Sequence, residues 1–433
     1  MNAFCSLKKG LPTFWTVLII SVVCAIYFDV CTFHFQMEWD DYWVVINEYT
    51  SRGFSPDNLI AVLTESYHGQ YSPVNELYYI AIHHLVGYKA GYFHFASVVI
   101  HIINCLLLQR LLFKIAYQGI GMTQEKSRMI AWASVLIFAV HPLNVEAVAW
   151  ISASKIPLYA MFYFISLILY TDYLVKKKVV YIYLSVLLFL LSFGSKEQAV
   201  VYPLCIILLD YLFGLNLKSW TNILKYISLL LLALALGIVT IISQGSEEQM
   251  GSDYNILERG LLAAYSLSMY STQSIIPIKL SYLYPFPFEH GKNIPFYLYL
   301  YPLLMAAIVY YGRGLIIKKE IFFGLIFFLI HILVALHIVG LGRFSVTADR
   351  YAYVSLAGFC FILAFLIVEF STRNNKIYSF KLKAYWCYII VLGTYSSIRL
   401  QAWRDSEILK SKIKIEIRAR KDYSELEKQF DQL

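Results

Sequence analysis

The chain has 433 residues, 59% of them hydrophobic and only 15% charged, with a mean hydropathy of +0.61. These proportions exclude a soluble globular protein, whose apolar core would lack the polar surface to cover it, and indicate an all-α polytopic membrane protein. The formal net charge of +8 does not imply nucleic acid, because much of the Lys and Arg falls in short loops between apolar runs, where it sets orientation.

The first apolar run covers about 20 residues, 11–30, enough to cross a bilayer once. Lys8 and Lys9 precede it without a clear small-residue cleavage site, which reads as an uncleaved anchor rather than a signal peptide. Just past the run stands Trp39-Asp40-Asp41-Tyr42-Trp43. Adjacent carboxylates beside a bilayer are costly to desolvate and are seldom kept there without a task. Asp40 and Asp41 are therefore candidates for a general base, since a carboxylate in a partly dry cleft has its pKa raised toward working pH. The alternative is a helix cap or an interfacial acid paired with a nearby Arg.

Further apolar runs follow at 92–117, 129–143, 156–175, 179–194, 198–214, 226–243, 295–311, 321–339, 351–370 and 384–398, for about eleven spans. Basic residues follow every second run: Arg110, Lys114, Lys126 and Arg128, then Lys176, Lys177 and Lys178, then Lys218 and Lys225. Arg313, Lys318 and Lys319 come next, and finally Arg373, Lys376, Lys381 and Lys383. All fall on one side if the N-terminus is cytoplasmic. The stretch 258–280 is apolar enough to span, but counting it would put the 313–319 cluster outside, so it is read as a re-entrant or surface helix. The odd count leaves the C-terminus on the outer face. That face then collects a long first loop at 32–91 with interfacial helices, a short loop at 141–155, a tight turn at 195–197, and the stretches 244–294 and 340–350.

Those outer segments carry the chemistry-bearing residues. Pro142 breaks the third run after His141, so His141 and Glu146 can face one cavity. A His/Glu pair could bind a metal, position an acceptor or simply cap a helix break, and two ligands are weak support for a metal. In Ser195-Lys196-Glu197 the Lys could neutralise a phosphate with Glu197 orienting it, or the two could form a local ion pair. Arg350 opens a run from the outside, where positive charge is disfavoured, which marks it as a phosphate-ligand candidate. His94, His101 and Asn104 share a side of the second run and read as interhelical hydrogen-bonding groups, with a metal site as the alternative. Asp172 and Asp210 should pair with neighbouring Lys. The seven cysteines show no metal-ligand spacing and read as packing residues, and most of the many aromatics as interfacial belts.

In this order, the motifs resemble a known family. The matching residues are Asp40-Asp41, Tyr71-Ser72-Pro73, His94 with His101, His141-Pro142 with Glu146-Ala147-Val148, and Lys196-Glu197. They continue with Pro277, Leu280-Ser281 and Tyr284, Asp349-Arg350-Tyr351 with Tyr353, and Trp403-Arg404-Asp405. The chain resembles the GT-C-type glycosyltransferases that use polyprenyl- or dolichyl-phosphate sugars. The nearest branch is the transmembrane and tetratricopeptide-repeat-containing O-mannosyltransferases and their bacterial relatives. The resemblance covers nearly the whole chain. It departs at Ser72, where relatives commonly carry Arg, and at the missing repeats, since only a charged segment at 410–432 follows.

The resemblance implies a transmembrane glycosyltransferase domain at 1–398 and a short helical tail at 399–433. It implies transfer of a mannose-like hexose from a polyprenyl-phosphate donor to a hydroxyl of a protein, lipid or glycan, on the periplasmic face of a bacterial inner membrane or the lumenal face of the endoplasmic reticulum. Asp40 would be the base with Asp41 in support. His141, Glu146, Tyr71 and Glu197 would position donor or acceptor, and Lys196, Arg350 and Lys155 would hold the phosphate. No cofactor is required, a divalent metal is compatible without being demanded, and the partners are the lipid donor, the acceptor and the membrane, not nucleic acid. A polysaccharide polymerase or ligase is the nearer alternative. A lipid-linked sugar transporter would need mid-bilayer charges and a repeat, which the sequence does not display. An assembly subunit that has lost catalysis is a third.

Overall fold

The computed structural model describes residues 11–244, 254–288, 291–338, 345–369 and 375–418. Lys8, Lys9, Arg373 and the 419–432 part of the charged tail lie outside the described residues, as do parts of the 244–294 and 340–350 stretches. Every regular element described is helical and no strand occurs among them.

Helix α1 (Leu11–Ile26) leads into a loop region with short helices: α2 (Asp41–Val44), α3 (Glu48–Arg52), α4 (Pro56–Thr64) and α5 (Pro73–Val86). Prolines at the first positions of α4 and α5 start those helices, because their fixed φ suits the first turn and their missing N–H is not needed there. The bundle follows as α6 (Ala90–Lys114), α7 (Gln124–Val140), α8 (Val145–Ala149), α9 (Lys155–Lys176), α10 (Val180–Ser195), α11 (Tyr202–Leu212) and α12 (Trp220–Gln244). Then come α13 (Ile256–Ile275), α14 (Leu300–Ile316), α15 (Lys319–Ile332), α16 (Leu356–Glu369), α17 (Asn375–Leu400) and α18 (Ser406–Arg418). Each apolar run expected to span coincides with a helix or with the larger part of one.

Four helical stretches are long and apolar enough to cross a membrane: Ala90–Gly119, Ile151–Lys176, Trp220–Ser243 and Phe296–Ile316. Gln124–Val140 and Pro142–Ala149 would make a fifth, bent by 56° at the His141-Pro142 break. The residue before a proline is pushed out of the helical region, and His141 is extended with ψ 128°. Asn144 Nδ2 then donates to the Phe138 carbonyl at 2.7 Å, satisfying one of the acceptors left at the end of α7. The remaining apolar helices are shorter. With eleven residues, α11 reaches only about 16 Å, against a hydrocarbon core of about 30 Å. The 256–275 helix is not among the four stretches. It opens with a capping box, Asn255 and Glu258 each accepting the other's backbone N–H at 3.0 and 2.7 Å.

Along α9, Lys155 and Asp172 are separated by about 26 Å of helix rise. At the Asp172 end, buried acids are paired as expected. Lys114 and Lys176 reach Asp172 at 2.7 and 3.0 Å, Lys225 reaches Asp210 at 2.5 Å beside the Tyr170 and Tyr226 hydroxyls, and Lys126 pairs with Glu369. Between the ends, His101 and Asn104 stitch helices together as read from sequence, whereas neither ring nitrogen of His94 has a hydrogen-bond partner among the described residues. His101 Nδ1 meets the Tyr353 hydroxyl at 2.7 Å, and Asn104 donates to the Pro157 carbonyl at 2.8 Å. In a low-dielectric interior such partners remove the penalty of an unpaired polar group. Helices α15 and α16 cross at glycines: a Cβ on Gly358 would stand 2.2 Å from the Gly324 carbonyl oxygen. By contrast α14 buries none of its side chains, leaving an apolar face on the outside of the bundle.

The tail does not stand apart as a separate unit. Its described part, 399–418, is built into the body through Leu409, Ile413 and Ile417, which recur at helical spacing and are all buried.

Candidate active site

The end of the bundle opposite Asp172 gathers the α2 turn, the broken segment between α7 and α9, the turn after α10, and the short helix that precedes α16. Asp40 and Asp41 lie together there but in different environments. Asp41 is fully buried, and its carboxylate accepts from the Gln36 N–H at 2.8 Å, from the Ser152 N–H at 3.0 Å and from the Ser152 hydroxyl. Burial pushes its carboxyl up to about 6 against the pull of these donors. Its lone pairs are spent on latching the 33–41 loop to the turn at Ile151–Ala153, which makes it a structural support for its neighbour.

Asp40 makes no ion pair among the described residues. Its carboxyl is also raised by burial, opposed by the charges of Lys155 and Arg350 and by a hydrogen bond from the Trp43 side chain. Lys155 opens α9, and its amine donates to the Gln70 amide oxygen at 2.6 Å rather than to a carboxylate. It lies within electrostatic reach of Lys196, Glu197, Asp40 and Arg350. Asp40 and Lys155 thus feel each other across the site without touching.

The other two cations are held by acids. Lys196 pairs with Glu197 at 2.6 Å. Burial opposes ionisation of Glu197, but Lys196 and then Lys155 outweigh it and hold the carboxyl below the usual range. Arg350 donates from Nη1 to Glu146 Oε1 at 2.5 Å, and its backbone N–H donates to Oε2 at 3.0 Å. The guanidinium also lies over the Trp150 ring at 5.2 Å and the Tyr351 ring at 4.8 Å. Both Glu146 oxygens are thus taken up by Arg350.

Two of the predicted site residues make local hydrogen bonds. His141 is buried at the helix break and its Nδ1 accepts from the Leu143 N–H at 3.3 Å, the capping alternative of its sequence reading. The Tyr71 hydroxyl donates to the Leu63 carbonyl at 2.9 Å, which closes the loop onto α4. Among the described residues no group of three or more His, Cys, Asp or Glu side chains is arranged to hold a metal ion.

Several contributors escape sequence reasoning. Glu76, from the first turn of α5, takes a hydrogen bond from Asn47 at 3.3 Å and is raised by burial to about 7, with Asn47 and Lys155 opposing. Arg399 ends α17 and reaches the buried Asp349 at 2.9 Å, while also donating to the Leu280 and Ser281 carbonyls at 2.7 and 3.2 Å. Tyr284 donates to the other Asp349 oxygen at 2.7 Å. Burial pushes the Asp349 carboxyl up to about 7 with Arg399 opposing it. The one cue in the sequence was a cation at the outer end of an apolar run, the same irregularity that singled out Arg350.

No protein-family model matches the chain and no curated protein matches it.

Proposed function

We propose that this chain is an integral-membrane glycosyltransferase of the GT-C type that takes a hexose from a polyprenyl-phosphate donor. The observation that carries this reading is the pairing of an acid free of ion pairs, Asp40, with three cations, Lys155, Lys196 and Arg350, at one end of an apolar bundle. Asp40 accepts the proton of an acceptor hydroxyl as its oxygen attacks the anomeric carbon. The bond from that carbon to the phosphate oxygen breaks, and the polyprenyl phosphate departs with the electron pair. A lipid phosphate is a good leaving group, so the demand is for cations on the developing charge and a base at the nucleophile, without a strong acid. Direct displacement inverts the anomeric centre.

Asp41 supports the base by fixing the loop beneath it. Lys155 comes up to Gln70, two residues from Ser72, and shares with Lys196 and Arg350 the holding of the phosphate in this reading. About eleven helices cross the membrane in this reading, the shorter ones in thinned or protein-lined surroundings, with the N-terminus cytoplasmic and the site periplasmic or lumenal. Helix α13 stays on the outer side.

The test is a membrane assay with radiolabelled polyprenyl-phosphate hexoses. Wild type should transfer label to a hydroxyl acceptor, and Asp40→Asn should lose on the order of 10²–10⁴ in rate, as expected for removal of a general base. Transfer undiminished in Asp40→Asn would remove that residue as the base. Thiol labelling of Ile278→Cys, an exposed position after α13, tests the topology: labelling from the cytoplasmic side overturns it.

A further inference from the structure

The segment between α17 and α18 touches both ends of the candidate site, and Trp403 is the residue that reaches both. Trp403 is almost fully buried, with 2% of its surface exposed. Its indole stacks on that of Trp150 with centroids 5.5 Å apart and planes inclined by 17°. The Trp150 ring, with that of Tyr351, carries the Arg350 guanidinium, so the stack sits directly behind the cation end. On the other side the Trp403 carbonyl accepts from Gln36 Nε2 at 2.8 Å, and the Gln36 N–H in turn donates to Asp41 at 2.8 Å. The next residue repeats the tie, since the Arg404 carbonyl accepts from the His34 N–H at 3.0 Å. The Tyr282 ring packs edge-on against Trp403 at 6.1 Å and lies under the Arg399 guanidinium at 4.5 Å.

We propose that Trp403 is a positioning residue, which holds the Asp40 loop and the Arg350 cation at a fixed separation across the site. The inference rests on the glycosyl-transfer reading for its catalytic consequence, but its geometric content does not. The loop that carries Asp40 has no regular element longer than four residues between 33 and 47, so its position is set by what it is tied to. Two of those ties lead to the 403–404 backbone. The same indole also backs the Trp150 ring, which joins this segment to Arg350, and a displacement of about 1 Å between reacting groups is enough to cost on the order of 100-fold in rate.

The indole nitrogens of Trp403 and Trp150 have no hydrogen-bond partner among the described residues. A phenyl ring can therefore replace the indole without orphaning an acceptor, whereas alanine removes the stack. That asymmetry makes the test specific. In full-length protein in membranes, maleimide labelling at position 40 is measured in Asp40→Cys alone and combined with Trp403→Ala or Trp403→Phe, with the labelled peptide identified by mass. The expected result is labelling several-fold faster with Trp403→Ala and unchanged with Trp403→Phe. Equal labelling in all three, or Phe behaving as Ala, overturns the proposal.

In parallel, hexose transfer is followed against pH in Trp403→Ala and Trp403→Phe. Loosening the loop hydrates Asp40, so Trp403→Ala should lower kcat by about 10- to 100-fold with little change in donor KM. It should also move the acid limb to lower pH, because water relieves the burial that raises the carboxyl. Trp403→Phe should restore most of both. A fall in kcat with an unmoved acid limb and no rescue by Phe would mark general damage and overturn the proposal. Absence of transfer by the wild type with the labelling pattern intact would instead sink the glycosyl-transfer reading and leave the positioning role standing.

Discussion

Asp40→Asn and Asp41→Asn remove the same charge one residue apart, and the contrast between them separates a base from a latch. Asp41 is 0% exposed and satisfies two backbone N–H groups and one hydroxyl. Asn keeps one oxygen in place of two, so its amide must present hydrogens to at least one of those donors. A buried donor left unpaired costs about 1–3 kcal/mol, and the clash of two donors adds to it, so a loss of about 3 kcal/mol is expected. At about 2.1 cal/mol/K per residue, unfolding of the whole chain turns that loss into a Tm drop of about 3 °C. Asp40 has no ion pair to lose, and removing a carboxylate whose ionised form burial already disfavours should leave Tm within about 1 °C. The assay is thermal unfolding of the detergent-solubilised variants beside hexose transfer by the same preparations. Asp41→Asn should lose stability with a partial loss of transfer, and Asp40→Asn should lose transfer with stability kept. Equal Tm drops in the two variants, or none in Asp41→Asn, would refute the latch.

Other outcomes follow from the same geometry. The folded-state carboxyl of Asp41 is raised to about 6, so its contribution is present below the ordinary carboxylate pKa and lost as pH climbs through about 6. The stability advantage of wild type over Asp41→Asn should therefore narrow between pH 4 and pH 7, and a widening gap in unfolding scans would contradict this sign. Arg399→Met leaves Asp349 buried at 1% exposure without its counter-charge and should destabilise by about 3–5 kcal/mol, with the double variant Arg399→Met, Asp349→Asn recovering much of the loss in thermal unfolding. Arg350→Lys removes the fork that holds Glu146 and the planar contact with Trp150, so transfer should fall at least tenfold, the full loss showing in kcat rather than in Tm. Gly358→Ala drives a methyl into the Gly324 carbonyl and should cost about 1–3 kcal/mol, while Gly237→Ala, with nothing within 4 Å, should be neutral or stabilising in the same assay.

Hydrophobic runs and charge bias in the sequence were sufficient for the helical class, for the approximate bounds of the long apolar helices, and for the expectation that one end of the bundle would gather acids, Lys196 and Arg350. This is local information. A helix interior satisfies its own backbone, and a run of apolar residues announces itself without knowing its neighbours. The same holds for the break at His141-Pro142, which follows from one proline.

What tertiary structure alone decided was the division of labour. Asp40 and Asp41 are indistinguishable in the sequence, and only the approach of Ser152, 111 residues away, saturates one and leaves the other open. The partner of Glu146 was likewise invisible in the sequence: Arg350 reaches it from 204 residues along the chain. The charged tail expected at 399–433 gives no sign in the sequence of what it touches, and in its described part, 399–418, three buried apolar residues and the Trp403 stack pack it against the body. Ion pairing and desolvation depend on which groups converge after folding, and that convergence has no periodicity for a sequence to display.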